Sequence, residues 1–160
     1  MDLSYRPVNL AEDLERCLAF RRDTWQVSFG SLEGYCDDDT QRWFEHLTAD
    51  YPNEFLHVFS HQHCIGQLEF RSGLTSEDGK SMGYINLFYL TPDMRGSGAG
   101  QAMHDEVTCR LRQAGCEIAM LRVIPGNGRA ERFYHKNGWS ARGEVDAKRG
   151  QLMIKKLIEP

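Results

Sequence analysis

The segment Leu90-Thr91-Pro92-Asp93-Met94-Arg95-Gly96-Ser97-Gly98-Ala99-Gly100-Gln101 holds the residue types best suited to chemistry. Three glycines in five positions allow positive φ and close backbone approach. An apolar run stops at Pro92 and a helical pattern starts at Gly100. The unpaired N–H groups of a helix start therefore fall among the glycines, and such groups bind anions, phosphates above all. Arg95 adds a permanent positive charge. The loop suits a pyrophosphate, although taken alone the same pattern also describes a turn that caps a helix. Two familiar phosphate patterns are excluded. Gly100 is followed by Gln101, not by the Lys-Ser/Thr of a P-loop. The dinucleotide pattern G-x-G-x-x-G, begun at Gly96-Ser97-Gly98, needs its third glycine where Gln101 stands. What remains is Arg95-x-x-Gly98-x-Gly100.

A second segment reads Asn127-Gly128-Arg129-Ala130-Glu131-Arg132-Phe133-Tyr134-His135-Lys136-Asn137-Gly138-Trp139. Asn127 and Ala130 are one helical turn apart, and Tyr134 lies seven residues beyond Asn127, so they project from nearly one face. Tyr134 beside Phe133 also fits an ordinary core position. The five cysteines, Cys17, Cys36, Cys64, Cys109 and Cys116, are odd in number and lack C-x-x-C spacing. A disulfide framework or zinc knuckle is not expected, and a reducing cytoplasm fits. His57, His61 and His63 lack matching Cys or carboxylate spacing, so no metal is expected.

These segments need elements to position them. A short strand is predicted at Ser4–Val8, then a helix with Asn9 as N-cap and Glu12 at capping-box spacing. Leu10, Leu14, Cys17, Leu18 and Arg21 follow at helical intervals, and the first four fit one buried stripe. A connector from Trp25 through Phe29 and Gly30 to Tyr35 leads to a helix opened by Asp37, Asp38 and Asp39, with Trp43, Phe44 and Leu47 on its apolar side. Strands follow at Phe55–Ser60, Cys64–Arg71 and Tyr84–Leu90, separated by the His61-Gln62 turn and the polar loop Thr75–Ser81. Gly100–Ala114 reads as a helix with Met103, Val107, Leu111 and Ala114 on one face and Gly115 just past its end. A strand at Glu117–Ile124, a helix at Asn127–Asn137, and strands at Trp139–Val145 and Leu152–Ile158 complete the chain. The order predicts a mixed α/β fold with a mostly antiparallel sheet and helices on its faces.

Composition bounds the reading. With 160 residues, one domain over 1–160 is expected. Hydrophobic residues at 41% and charged residues at 26% are ordinary for a globular chain and exclude disorder. No apolar run reaches the roughly 18 residues of a bilayer span, so no membrane role is expected. The first residues, Met1–Pro7, carry no apolar signal-peptide core, which adds to the cytoplasmic expectation. A net charge of −4 without a Lys/Arg cluster disfavours nucleic acid.

Together the two segments resemble the GNAT superfamily of acyl-CoA-dependent N-acetyltransferases. Arg95-x-x-Gly98-x-Gly100 is similar to its [Q/R]-x-x-G-x-[G/A] signature, and Asn127 to Trp139 is similar to N-x-x-A-x-x-F-Y-x-x-x-G-[F/W]. The resemblance extends through the element order to nearly the whole chain. It implies a GNAT-like single domain: a twisted, mostly antiparallel sheet of about seven strands with splayed central strands, flanked by about four helices. It implies acetyl-CoA as cosubstrate, no metal, and transfer of the acetyl group to a primary amine of a small molecule or peptide by direct attack in a ternary complex. Such folds often pair, so a homodimer is compatible. In this reading main-chain groups of Gly96, Ser97, Gly98, Ala99, Gly100 and Gln101, with Arg95, hold the pyrophosphate. Main-chain groups of Phe88, Tyr89 and Leu90 pair with the pantetheine arm, an amide near Phe88 or Tyr89 polarises the thioester carbonyl, Asn127 touches the same arm, Phe133 lies beside it, and Tyr134 protonates the departing thiolate.

One part of the family pattern is missing. A lysine-type amine has a pKa near 10.4, so deprotonation at pH 7 costs roughly 4–5 kcal/mol and needs a base, a water chain or a desolvated pocket. Relatives carry a carboxylate or histidine on the strand before the glycine loop; the matching positions here are Tyr84 and Asn86, which share parity with Phe88. Others carry Glu five residues before the motif asparagine, where this chain has Arg122. Tyr84 can relay through water. Glu69 is the nearest carboxylate candidate, with a solvated strand residue as its other reading. Trp25, Phe29 and Tyr35 are expected to shape the acceptor pocket, with Glu33 and Asp37 drawing a cation; core packing and helix capping are the alternatives. A CoA-binding sensor or interaction module that has lost catalysis is the competing function.

Overall fold

The computed structural model describes residues 2–158. Asn9 starts the first helix: its Oδ1 accepts from the Ala11 N–H (3.1 Å), and its own N–H donates to Asp13 Oδ2 (3.1 Å). The reciprocal partner is thus Asp13 rather than Glu12, because helical side chains lean toward the N-terminus and a short carboxylate one position later reaches the cap. Strand β1 (Leu3–Pro7) precedes helix α1 (Leu10–Phe29). The connector expected from Trp25 onward is helical up to Phe29, so the helix takes in Trp25 and Phe29. It closes at Gly30, φ +80°, whose N–H donates to Gln26 O at 2.7 Å. The apolar stripe ends where Arg21, Arg22 and Asp23 begin, yet all three side chains have protein partners, so the helix continues without the stripe.

Helix α2 (Asp37–Asp50) packs against α1, and a turn of 3-10 helix (Pro52–Glu54) leads into β2 (Phe55–Ser60). Val8, Cys17, Leu18, Phe44, Leu47 and Phe55 form one core cluster, with Phe44 stacked on Phe55 at 5.3 Å. Strands β3 (His63–Thr75) and β4 (Ser81–Leu90) are longer than their apolar runs. Ser76 closes the loop between them, its N–H donating to Lys80 O and its Oγ accepting the Lys80 N–H. Helix α3 (Ala99–Gln113), strand β5 (Ile118–Val123), helix α4 (Gly128–Lys136) and strands β6 (Ser140–Asp146) and β7 (Gly150–Lys156) follow. Met103, Val107 and Leu111 are buried on α3, but Ala114 is exposed, because the chain has already turned at Gly115 (φ +90°). Gly115 N–H to Arg112 O (2.9 Å) and Cys116 N–H to Leu111 O (3.0 Å) make this a Schellman stop.

The seven strands form one sheet in the order β1-β2-β3-β4-β5-β7-β6. The pairs β1·β2, β2·β3, β5·β7 and β6·β7 are antiparallel, whereas β4·β5 is parallel. That parallel ladder is short, Met82↔Ile118, Gly83↔Ala119 and Tyr84↔Met120. The chain falls into two compact units: residues 1–70 with 87–104, and residues 71–86 with 105–160. In the first, Gly66 lets α3 approach, since a Cβ there would lie 2.6 Å from Tyr89 O and 2.9 Å from Met103 Cε. In the second, Gly83 does the same for Leu111, with a Cβ 2.5 Å from its Cδ2. Cys17 and Cys116 are buried, Cys64 is half-buried, Cys36 and Cys109 are exposed, and all five are free thiols. Among the described residues no group of three or more His, Cys, Asp or Glu is placed to hold a metal, and no helix is long and apolar enough to cross a membrane.

Candidate active site

The glycine segment folds as a turn of 3-10 helix (Pro92–Met94) followed by two left-handed glycines, Gly96 at φ +83° and Gly98 at φ +94°. Within the turn, Met94 N–H donates to Thr91 O, Arg95 N–H to Pro92 O, Ser97 N–H to Met94 O and Ala99 N–H to Ser97 Oγ. The amides of Gly96, Gly98 and Gly100 have no acceptor of this kind among the described residues; for Gly100, in the first turn of α3, that is the usual state. A Cβ at Gly98 would meet no atom within 4 Å, so the space above it is open. Three amides without a backbone acceptor, beside open space at Gly98, fit a diphosphate. Arg95 is not simply aimed at that space. Its Nε donates to Leu90 O (3.1 Å), Nη2 lies 3.6 Å from Asp23 Oδ2, and the guanidinium sits 5.9 Å from the Tyr89 ring centroid.

On β4, Gly83, Ile85, Leu87 and Tyr89 are buried, and Tyr84, Asn86, Phe88 and Leu90 are half-buried. The alternation places Tyr84, Asn86 and Phe88 on one face, as their parity requires. Arg71, which carries no motif signal in the sequence, joins two of them: its Nε donates to Asn86 Oδ1 (3.1 Å) and its guanidinium lies 5.7 Å from the Tyr84 ring centroid.

Glu69 is not a solvated strand residue. It is fully buried, and its carboxylate accepts Arg21 Nη2–H and Trp43 Nε1–H (2.7 Å) on Oε1, and Arg21 Nε–H (3.2 Å) and Gln67 Nε2–H (2.8 Å) on Oε2. Four donors occupy the roughly four lone-pair sites of a carboxylate, so both oxygens are already engaged by the protein. The network continues inward. Gln67 Oε1 meets His57 Nε2 at 2.9 Å, and the same nitrogen is 3.4 Å from Cys17 Sγ. Burial holds the His57 pKa below its ordinary value.

The asparagine segment forms α4 in the second unit. Asn127 caps it, its Oδ1 accepting from Ala130 N–H (3.3 Å), and the residue is exposed. The helix ends in a second Schellman stop: Gly138 (φ +86°) donates to His135 O (3.1 Å) and Trp139 N–H to Tyr134 O (3.0 Å). The hydrophobic contact of that motif is Tyr134 against Trp139, centroids 5.8 Å apart, with Phe133 edge-on to Tyr134 at 5.4 Å. Much of the motif is therefore helix-stop chemistry that clamps the Tyr134 ring. Its hydroxyl has no protein partner among the described residues, and burial pushes the phenol well above its ordinary pKa. Arg122, at the alternative base position, donates from Nη1 to Gly150 O (3.2 Å) while its Nε is buried without a partner.

Trp25 and Phe29 lie on α1 rather than on a connector, 4.7 Å apart, and Trp25 is 6.0 Å from Tyr35. Trp25 Nε1–H donates to Glu33 O (3.1 Å), leaving the Glu33 side chain exposed. Asp37 is taken by Arg22 in a two-pronged pair (3.0 and 2.5 Å), which lowers its carboxyl pKa. Asp23 is a further residue that spacing alone does not single out; its carboxylate accepts the Tyr89 hydroxyl at 2.6 Å. Its place directly after two arginines on a broken stripe was the available signal.

The sequence model of the acetyltransferase (GNAT) family matches residues 14–139, and the chain belongs to that family. Over 67 residues it is 31% identical to mycothiol acetyltransferase of Propionibacterium freudenreichii subsp. shermanii, a match of 42% of this chain and 22% of that protein. The chain thus corresponds to about a fifth of that relative's length. An acetyltransferase of the GNAT family from Staphylococcus aureus Mu50 shares the fold with a TM-score of 0.75 at 17% identity, over 98% of this chain and 100% of that one. The PaiA N-acetyltransferase of Thermoplasma acidophilum, solved with coenzyme A, does so with a TM-score of 0.67 at 21% identity, over 98% and 99%.

Proposed function

We propose that this chain transfers an acetyl group from acetyl-CoA to a primary amine of a small molecule or peptide, by direct attack and without an acyl-enzyme. The observation that carries this is the turn after Pro92, where the Gly96, Gly98 and Gly100 amides have no backbone acceptor among the described residues and the space a Cβ at Gly98 would enter is open, just before and at the start of α3. When bound, acetyl-CoA supplies an activated thioester. Gly96 to Gln101 bind its diphosphate through main-chain N–H groups, supported by the α3 dipole. The main chain of Phe88 to Leu90 orients the pantetheine arm, and an amide near Phe88 or Tyr89 polarises the carbonyl. Asn127 binds the arm through its side-chain amino group, with Phe133 beside it. Tyr134, a phenol protonated at neutral pH even at its ordinary pKa and pushed higher by burial, gives its proton to the leaving sulfur. Tyr84 passes the amine's proton to water, with Asn86 and Arg71 fixing its surroundings. Trp25, Phe29 and Glu33 contribute to the acceptor side.

A panel of small and peptide amines, read by thiol release from acetyl-CoA, tests this reading. Release with any amine supports transfer. Gly98→Glu places a side chain and a negative charge in the cradle at a left-handed backbone; it is expected to weaken CoA at least about tenfold by calorimetry. Wild-type affinity in that variant would place the diphosphate elsewhere. The sensor reading draws on Glu69, whose carboxylate is already filled by four donors. CoA binding with no thiol release across the whole panel would favour it.

A further inference from the structure

Three contacts converge on the entry to the glycine turn, and one side chain organises them. Asp23 Oδ2 accepts the Tyr89 hydroxyl at 2.6 Å and stands 3.6 Å from Arg95 Nη2. Arg95 then donates from Nε to the Leu90 carbonyl at 3.1 Å. Tyr89 is held from the other side by Phe20, stacked at 4.6 Å. Asp23 and Phe20 both lie on α1, and Tyr89, Leu90 and Arg95 flank the 3-10 turn. From these contacts we infer that Asp23 is a positioning residue for coenzyme binding: it fastens the end of β4 and the Arg95 guanidinium to α1, and so fixes where the turn's amides point. The inference rests on the proposed diphosphate cradle.

The alternative is that Asp23 only stabilises the fold. Its side chain is 36% exposed and that of Arg95 is 34% exposed. An ion pair so open to water contributes little to stability. A carboxylate beside a diphosphate site also repels the ligand by Coulomb's law, whatever its other role. Repulsion and positioning have opposite signs on coenzyme affinity. Here the tyrosine bond is short, and the arginine fork is split between Leu90 O and Asp23. Without Asp23 the guanidinium loses its second anchor and the Tyr89 hydroxyl its acceptor, and on this inference that loss outweighs the repulsion relieved.

The experiment compares wild type, Asp23→Asn, Asp23→Ala and Tyr89→Phe. CoA affinity is measured by calorimetry, acetyl-CoA KM and kcat by thiol release, and Tm by calorimetric scan. Asp23→Asn keeps an acceptor for Tyr89 and loses the charge toward Arg95; Asp23→Ala loses both. The expected result is a graded rise in Kd and KM, about threefold for Asn and about tenfold for Ala. The Asp23 variants should keep kcat at saturating acetyl-CoA within about twofold, with Tm lowered by less than about 4 °C. Tyr89→Phe retains the stack on Phe20 and is expected to raise KM in the same direction, so the idea stays testable if Asp23→Ala does not fold. Unchanged or tighter CoA binding in the folded Asp23 variants, with wild type binding normally, overturns the positioning role alone. A wild-type chain that does not bind CoA overturns the cradle and this inference with it.

Discussion

Tyr134 has its ring fixed by Phe133 and Trp139, its hydroxyl without a protein partner among the described residues, and a phenol whose pKa burial raises above an ordinary value that already leaves it protonated at neutral pH. A proton donor needs this combination of fixed position and retained proton. Tyr134→Phe removes one oxygen and leaves the ring packing, so kcat is expected to fall about 100-fold while CoA affinity persists. Steady-state kinetics beside calorimetry checks both; unchanged kcat removes the acid role. His57 illustrates burial acting on a base instead. Its pKa is lowered in the folded state chiefly by desolvation, against the Gln67 hydrogen bond and the Asp13 charge. The unfolded chain therefore binds a proton that the folded chain refuses. Stability from this residue is complete above the unfolded value of about 6.5 and is lost as pH falls through the folded value. Thermal melts from about pH 7.5 down to about pH 5 should show a loss that His57→Gln flattens; equal slopes would assign it to other groups.

At the scale of elements, much was legible where local chemistry dictates the outcome. Gly115 and Gly138 end helices in the left-handed conformation, Ser76 and Gly79 close the β3–β4 loop, and the alternation of β4 places Tyr84, Asn86 and Phe88 together. The end of α1 was not legible, because Arg21, Arg22 and Asp23 read as solvated polar residues. Their partners, Glu69, Asp37 and Tyr89, lie 48, 15 and 66 positions away, and no periodicity encodes such pairs. The fate of Glu69 was hidden for the same reason: strand parity predicts a face, not four donors arriving from two helices and its own strand. Gly66 shows what a strand glycine does here. Gly66→Ala puts a methyl 2.6 Å from a main-chain oxygen, so backbone must move, and a loss of about 1–3 kcal/mol is expected by urea denaturation. At Gly83→Ala the nearest atoms are those of the Leu111 side chain rather than backbone, and a side chain gives way more cheaply, so the substitution should cost less.

For the molecule as a whole, the motifs and the order of elements led to the family, and the structure supplies the seven-stranded sheet with four helices in that order. The acceptor is the least legible property, since it depends on side chains gathered by tertiary contact rather than by spacing. The uneven placement of the five sulfhydryls has a practical result. Cys36 and Cys109 face solvent, Cys64 is partly covered, and Cys17 and Cys116 are enclosed. An alkylating reagent should add two groups quickly and a third slowly, while the last two adducts report opening of the interior. Intact-mass counting would therefore follow unfolding without any added label, and prompt modification at Cys17 or Cys116 would contradict the packing around them. The native cysteines thus give the protein a built-in gauge of its own integrity, one that can be read alongside every variant described above.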